Sequence, residues 1–153
     1  MQMPEPDASI LAAKPRVVAR LRAALPGDSV IDAPEELRAY ECDALTAYTC
    51  PPLAVTLPAN TDEVAAILRI CHDEGVPVVP RGSGTSLAGG ALPTADSVIL
   101  GVARLTEVLE TDYADRIIRV QTGRTNLSVT GAVEEDGFFY APDPSSQLAC
   151  AIA

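Results

Sequence analysis

The chain has 153 residues, 48% of them apolar, and a formal net charge of −10 at pH 7. This length predicts about one domain with its own core, and the acidic balance disfavours nucleic-acid binding because a negative surface repels phosphate backbones. No apolar run approaches the ~18 residues of a membrane span, and the acidic N-terminal stretch lacks a signal-peptide core. We therefore expect no transmembrane segment and a cytoplasmic location.

The N-terminal third predicts one helix and an irregular connection. The helix runs from Ile10 to Leu25, with Val18, Leu21 and Leu25 on one face and Pro26-Gly27 at its end. A short helical turn is predicted over 34–40. The paired prolines of CDALTAYTCPP (42–52) then exclude a regular helix.

A strand–helix–strand unit follows. LAVTLP (53–58) predicts a strand, and Asn60 with Glu63 forms a capping-box-like helix start that Gly75 ends. VPVVP (76–80) predicts the second strand, so the two strands should be parallel with a right-handed crossover. The predicted apolar face of the helix consists of Val64, Ile67, Leu68 and Cys71.

The last third predicts further strands and a helix. SVILGV (97–102) indicates a buried strand, and VLETD and RIIRVQTG indicate two strands joined by a turn at 113–115. Thr125 predicts the cap of a helix that runs toward Asp136 and ends at Gly137. GFFYAPDPSSQ then predicts an apolar strand followed by a rigid Pro-Asp-Pro turn.

The glycine-rich stretch VPRGSGTSLAGG (79–90) follows the second strand, where open α/β units bind ligands. It has no lysine for a Walker loop, which disfavours nucleoside triphosphate hydrolysis, and Leu87 replaces the last glycine of a dinucleotide fingerprint. Glycines permit close approach of a ligand, and successive N–H groups can form an anion nest. Arg81 and the hydroxyls of Ser83, Thr85 and Ser86 favour a pyrophosphate, although a tight structural crossing would use the same glycines.

Three segments taken together resemble a known family. They are YECDALTAY (40–48), residues 53–90 with their P-R-G-x-G-T-x-L-x-G-G motif, and GFFYAPDPSSQLACAIA (137–153). They are similar to the N-terminal part of FAD-linked oxidases of the glycolate oxidase FAD-subunit and D-lactate dehydrogenase type, within the p-cresol methylhydroxylase and vanillyl-alcohol oxidase group. The resemblance implies an α+β (α/β) fold, a PCMH-type FAD-binding domain with two α/β subdomains, incomplete at its C-terminus. It places this domain at 34–153, after a helical segment at 1–33.

The resemblance also implies which residues contact FAD. The glycine loop would wrap the pyrophosphate, and the Pro-Asp-Pro-Ser-Ser segment would form a second contact. Some members of the family attach FAD covalently through a histidine in the glycine loop. In this chain the histidine, His72, lies on the helix that precedes the loop, so the resemblance implies non-covalent FAD. The cofactor-binding residues by resemblance are Pro80, Arg81, Gly82, Ser83, Gly84, Thr85, Ser86, Gly89, Gly90, Pro142, Asp143, Ser145, Ser146, Ala149, Cys150 and Ile152.

The functional prediction is the FAD-binding portion of a flavin-dependent oxidoreductase that oxidises a small 2-hydroxy acid such as glycolate or D-lactate, alongside other oxidase subunits. The alternative is a non-catalytic flavin-binding fragment or a truncated remnant that lacks the substrate domain. We find no catalytic residue and no metal ligand in the chain, so this chain alone is expected to be inactive. The acidic cluster 134–136 is interpreted as a solvated helix end, and the cysteines, without C-x-x-C spacing, as reduced structural thiols.

Overall fold

A computed structural model describes residues 3–153 of the chain. It contains four α-helices: α1 (Ala8–Ala24), α2 (Pro34–Leu37), α3 (Thr61–Glu74) and α4 (Asn126–Gly131). Its strands are β1 (Val30–Ile31), β2 (Ala54–Thr56), β3 (Val78–Arg81), β4 (Val98–Gly101), β5 (Val108–Asp112) and β6 (Ile117–Val120), and 3-10 turns cover Arg38–Tyr40 and Glu134–Asp136. The mixture of helices and sheets confirms the predicted α+β class. Met1 and Gln2 of the predicted 1–33 segment lie outside the described residues.

The main sheet has the strand order β1-β2-β4-β3. β4 is parallel to both of its neighbours, and β1 is antiparallel to β2 at the edge. The strands on either side of α3 are therefore parallel, as predicted, but β4 lies between them. The buried strand predicted at 97–102 is confirmed as β4, whose residues are all buried.

Two apolar layers cover the faces of this sheet. Side chains of successive strand residues point to opposite faces, so Ala54 joins the core under α1 and α3 while Val55 joins a smaller cluster with Leu37 and Ile99. Val17 and Ile67, both fully buried, bring the two helices together over the first face. Residues before position 34 thus pack in the same hydrophobic core as the residues after it. The predicted domain boundary between residues 33 and 34 stays a prediction.

The ends of α3 follow the local sequence signals. The Asn60 side chain accepts a hydrogen bond from the Glu63 N–H at 2.9 Å, and Glu63 reaches back to the Ala59 N–H at 2.8 Å. Gly75 ends the helix in the left-handed conformation, with φ +68°. One facial residue was predicted wrongly: Leu68 is 47% exposed, and Ile70 is buried in its place because the helix rests on the sheet along its 64, 67, 70 and 71 positions.

Beyond β4, the predicted hairpin forms, whereas the predicted helix and the last predicted strand differ from the structure. The hairpin β5–β6 forms with its turn at 113–116, where Arg116 has φ +57°. α4 stops at Gly131 instead of continuing to Asp136, because Val133 leaves helical geometry (φ −132°) with its side chain buried, and a 3-10 turn follows. The strand predicted for GFFYA is wrong: the segment finds no ladder partner within residues 3–153, and its Tyr140 N–H donates to the Thr130 hydroxyl instead.

Candidate functional site at the glycine loop

The glycine loop (residues 82–90) begins directly after Arg81, the last residue of β3. Gly84 and Gly89 have φ values of +71° and +77°, a backbone conformation that side chains with a Cβ rarely adopt. The backbone path of the loop therefore requires glycine at positions 84 and 89. Its position beyond the carboxyl end of a parallel strand is the usual ligand position of open α/β sheets.

The main-chain N–H groups of the loop are largely unused by the protein. Within residues 3–153, the N–H groups of residues 83–87 donate to no protein acceptor. The Ser86 hydroxyl instead accepts from the N–H groups of Ala88 and Gly90, at 3.2 and 3.3 Å, and stiffens the second half of the loop. Consecutive unpaired N–H groups on a glycine backbone are suited to an anion such as a phosphate.

Two arginines near the loop donate to main-chain carbonyls. Arg81 Nη1 lies 2.8 Å from the Cys42 carbonyl oxygen and 3.3 Å from that of Ala91. Arg124 donates to the carbonyl oxygens of Thr106 and Ser128, at 2.9 and 2.8 Å. Both guanidinium groups therefore hold segments of chain in place at the border of the site.

The second predicted segment forms consecutive turns rather than a strand and a single turn. The N–H groups of Ala149 and Cys150 both donate to the Ser146 carbonyl oxygen at 2.8 Å. The buried Asn126, at the start of α4, anchors both ends of this segment: its side-chain amide donates to the Pro142 carbonyl oxygen, and its N–H donates to that of Cys150, each at 3.0 Å. The start of α4 therefore sets the position of the Pro-Asp-Pro-Ser-Ser segment.

The glycine loop and the chain end of the second segment lie in contact. A Cβ at Gly82 would be 2.7 Å from the Ala153 carbonyl oxygen and 3.2 Å from the Ala151 Cβ. The chain around Ala151 is held by a β-bridge to Thr125 and by a hydrogen bond from Ile152 N–H to the Arg124 carbonyl oxygen. A cavity of about 420 Å³ lies at this junction. Its lining comprises Gly82, Ser83, Ala103, Thr106, Gly123, Arg124, Thr125, Ser128 and Ala151.

The structure therefore brings together only part of the predicted set. Gly82 and Ser83 line the junction cavity, and Ile152 lies in the chain that closes it. The side chains of Asp143, before the turns of 145–149, and of Ser145, at their start, are exposed and do not line this cavity. Sequence reasoning missed the residues from the start of α4, among them Asn126, whose only local signal is a polar residue at a helix N-terminus.

A second cavity, of about 560 Å³, lies between the β5–β6 hairpin and residues 137–142. Tyr113 and Phe138 lie against each other there with ring centroids 5.1 Å apart, and the Tyr113 hydroxyl donates to the Asp136 carboxylate. That carboxylate raises the pKa of Tyr113. Its lining includes the apolar side chain of Ile117, which is 59% exposed.

Neither a metal centre nor a membrane helix is present in the described chain. No group of three or more His, Cys, Asp or Glu side chains within residues 3–153 is placed to hold a metal ion. No helix in that range is both long and apolar enough to cross a membrane.

Curated proteins of similar sequence are oxidases and dehydrogenases. The chain is 48% identical over 136 residues to the glycolate oxidase subunit GlcD of Escherichia coli. The aligned region covers 89% of this chain and 27% of that protein. It is 33% identical over 138 residues to the D-2-hydroxyglutarate dehydrogenase of Xanthomonas citri, covering 90% of this chain and 29% of that protein. The chain thus spans about a quarter of the length of the curated relatives it matches.

Solved structures with the same fold support the predicted architecture. Alkyldihydroxyacetonephosphate synthase superimposes on 99% of this chain and 29% of its own, with a TM-score of 0.81 and 19% identity. Substrate-bound p-cresol methylhydroxylase superimposes on 86% of this chain and 26% of its own, with a TM-score of 0.76 and 20% identity. The predicted PCMH-type fold is confirmed by these neighbours. The sequence model of the FAD binding domain family matches residues 52–153, which are two thirds of the chain and include both motifs of the site. The chain therefore belongs to the FAD binding domain family.

Proposed function

We propose that this chain binds FAD, with the glycine loop holding the pyrophosphate. The observation that carries this proposal is the run of N–H groups at 83–87 that have no protein acceptor within residues 3–153, at the end of β3 and beside the junction cavity. The residues fit the cofactor: a nest of amides is complementary to the diphosphate charge, and the glycines leave the backbone open to close approach. The set proposed from the sequence, Pro80–Ser86, Gly89, Gly90, Pro142, Asp143, Ser145, Ser146, Ala149, Cys150 and Ile152, is retained as a proposal.

We further propose that the chain is the FAD-binding portion of an oxidoreductase acting on a small 2-hydroxy acid such as glycolate or D-lactate. The names of its relatives, a glycolate oxidase subunit and a D-lactate dehydrogenase, support this proposal. When bound, the flavin accepts the hydride removed from the substrate. The residues of this chain would bind the cofactor and orient it. A relative described as a subunit also supports partner subunits, and the cytoplasmic location stays a prediction.

The binding proposal is tested by titrating the purified 153-residue chain with FAD and with riboflavin, following the flavin fluorescence. We expect FAD to bind at least about tenfold more tightly, which corresponds to ~1.4 kcal/mol, because riboflavin lacks the phosphates. Gly84→Ala should remove this preference, since its Cβ would need a left-handed backbone and would lie 2.3 Å from Arg81 Nη2. Gly131→Ala, with open space around its Cβ, is the control. Equal affinity for the two flavins would refute the pyrophosphate site.

The alternative function, a flavin-binding fragment without catalysis, is distinguished by a second measurement. Glycolate or D-lactate is added anaerobically to the FAD-loaded chain, and the flavin absorbance near its visible maximum is followed. Bleaching would show that these residues suffice for oxidation. An unchanged spectrum with tight FAD binding would favour the alternative for this chain, and the same assay on a longer relative would then serve as the positive control.

A further inference from the structure

Arg81 has partners on both sides of the glycine loop. Its Nη1 donates to the carbonyl oxygen of Cys42, in the irregular segment before β2, and to that of Ala91, at the end of the loop. Its guanidinium carbon lies 5.7 Å from the centre of the Tyr40 ring, within cation–π range. One side chain therefore connects the start of the loop, the end of the loop and the 40–42 segment.

The guanidinium also lies directly against the loop backbone. A Cβ at Gly84 would be 2.3 Å from Arg81 Nη2 and 2.6 Å from its Cζ. Such distances are far below van der Waals contact, so a side chain at position 84 would displace the guanidinium from this position. The guanidinium thus lies close to the backbone where the left-handed residue at 84 turns it.

We propose that Arg81 is a positioning residue, whose guanidinium braces the glycine loop through the Cys42 and Ala91 carbonyl groups and the Gly84 backbone. On this proposal, the main-chain N–H groups of the loop are the phosphate donors, and Arg81 acts on the ligand through them. The inference rests on the proposed FAD function and specifies how the site achieves it. Both carbonyl groups accept from one nitrogen, Nη1, while the rest of the planar guanidinium lies against Gly84 and near the Tyr40 ring. The compact ammonium group of lysine could donate to the carbonyl groups but does not reproduce these two further contacts.

The first test is made on the chain without flavin. The variants are Arg81→Met and Arg81→Lys, with Arg69→Met, exposed on α3, as the matched control. The reporters are the N–H groups of Cys50, which donates to Glu41 at 2.7 Å, and of Leu92, which donates to Gly89 at 3.2 Å, because they belong to the two segments that Arg81 connects. We expect hydrogen exchange at both to be about tenfold faster in the two Arg81 variants, as for a loss of ~1.4 kcal/mol. Unchanged exchange at both N–H groups would overturn the brace.

The second test uses the ligand. We expect both Arg81 variants to bind FAD about tenfold more weakly while their affinity for riboflavin, which has no phosphate, is unchanged. A direct charge contact to phosphate would instead let Arg81→Lys retain most of the FAD affinity while Arg81→Met loses it. That result would overturn the proposal. If Arg81→Met does not fold, the Arg81→Lys measurement decides between these outcomes.

A double-mutant cycle makes the test specific to the contact. Gly84→Ala is introduced into the wild-type chain and into Arg81→Ala, where the obstructing guanidinium is gone. We expect the loss of FAD affinity caused by Gly84→Ala to be severalfold smaller in the Arg81→Ala background, since contacting residues are coupled. Additive losses would contradict the brace. If neither the wild-type chain nor any variant bound FAD, the proposed function would be refuted. The hydrogen-exchange experiment, which uses no flavin, would still test the role of Arg81.

Discussion

The main chain at Gly123 passes so close to Val102 that a Cβ at position 123 would lie 1.8 Å from the Val102 carbonyl oxygen. The Gly123 N–H donates to the Leu105 carbonyl oxygen at 2.8 Å, so the segment after β6 is attached to the chain that leaves β4. Gly123 also lines the junction cavity. This contact therefore holds the segment after β6 against the chain that leaves β4, at the border of the junction cavity.

Gly123→Ala should be strongly destabilising. The added methyl group would meet backbone rather than a flexible side chain, so the free energy of unfolding should fall by about 1–3 kcal/mol or more. Gly131→Ala, in open space at the end of α4, should raise it by about 0.5–1 kcal/mol. Urea denaturation of the two variants gives both values, and a Gly123→Ala chain as stable as wild type would show that the contact can relax without cost.

Asn126→Ala should affect both stability and the proposed ligand site. Removal of the buried side-chain amide leaves the Pro142 carbonyl group without its donor, which should cost about 1–3 kcal/mol of unfolding free energy. FAD affinity should fall as well, because the second segment loses its side-chain attachment to α4 at Pro142.

The matched control for this variant is Asn60→Ala, which removes the N-cap of α3. Its loss of stability should be about 1 kcal/mol, with FAD affinity unchanged, since α3 begins away from the second segment. Equal FAD affinities for the two variants, measured by fluorescence titration at a temperature where both are folded, would contradict an anchoring role for Asn126.

Acid should weaken the attachment of α1 to α3. Hydrogen bonds from Arg16 and Arg20 to the Glu74 carboxylate lower its pKa from 4.5 to about 2. Because the folded-state pKa is the lower one, the stabilisation is complete above pH ~4.5 and is lost as the pH falls toward 2. The difference in unfolding free energy between wild type and Glu74→Gln should therefore be constant at neutral pH and shrink over that range. A difference that grew on acidification would contradict this assignment.

Asp43→Asn should leave the protein as stable as wild type or make it more stable. The Asp43 side chain is buried, its Oδ1 accepts from the Leu45 N–H at 2.9 Å, and within residues 3–153 its Oδ2 has no hydrogen-bond partner. Asparagine retains the first bond and replaces the unpaired carboxylate oxygen with a neutral amide group, which costs less to bury than a charge. Asp43→Ala loses the Leu45 bond and should be about 1 kcal/mol less stable. Chemical denaturation distinguishes these outcomes, and destabilisation by Asp43→Asn would show that the charge has a role that the fold does not reveal.

Local signals predicted the parts of this protein in which the cause lies within a few residues of the effect. The Asn60 and Glu63 cap and the Gly75 end of α3 follow from hydrogen bonds and backbone conformation inside one turn. The same is true of the hairpin turn after β5 and of the glycines that give the loop its path. The family motifs added the cofactor, because they record a ligand that no single element reveals.

Only the tertiary structure decided which side chains hold the site together. Leu68 is exposed and Ile70 buried because the core that α3 shares with α1 and the sheet selects the buried face, and β4 lies between β2 and β3 although it follows both in sequence. The GFFYA segment forms no strand because it finds no ladder partner within residues 3–153. Arg81 reaches Cys42, 39 residues away, and Gly123 meets Val102, because folding brings distant segments to the same place, and no periodicity or motif encodes that meeting.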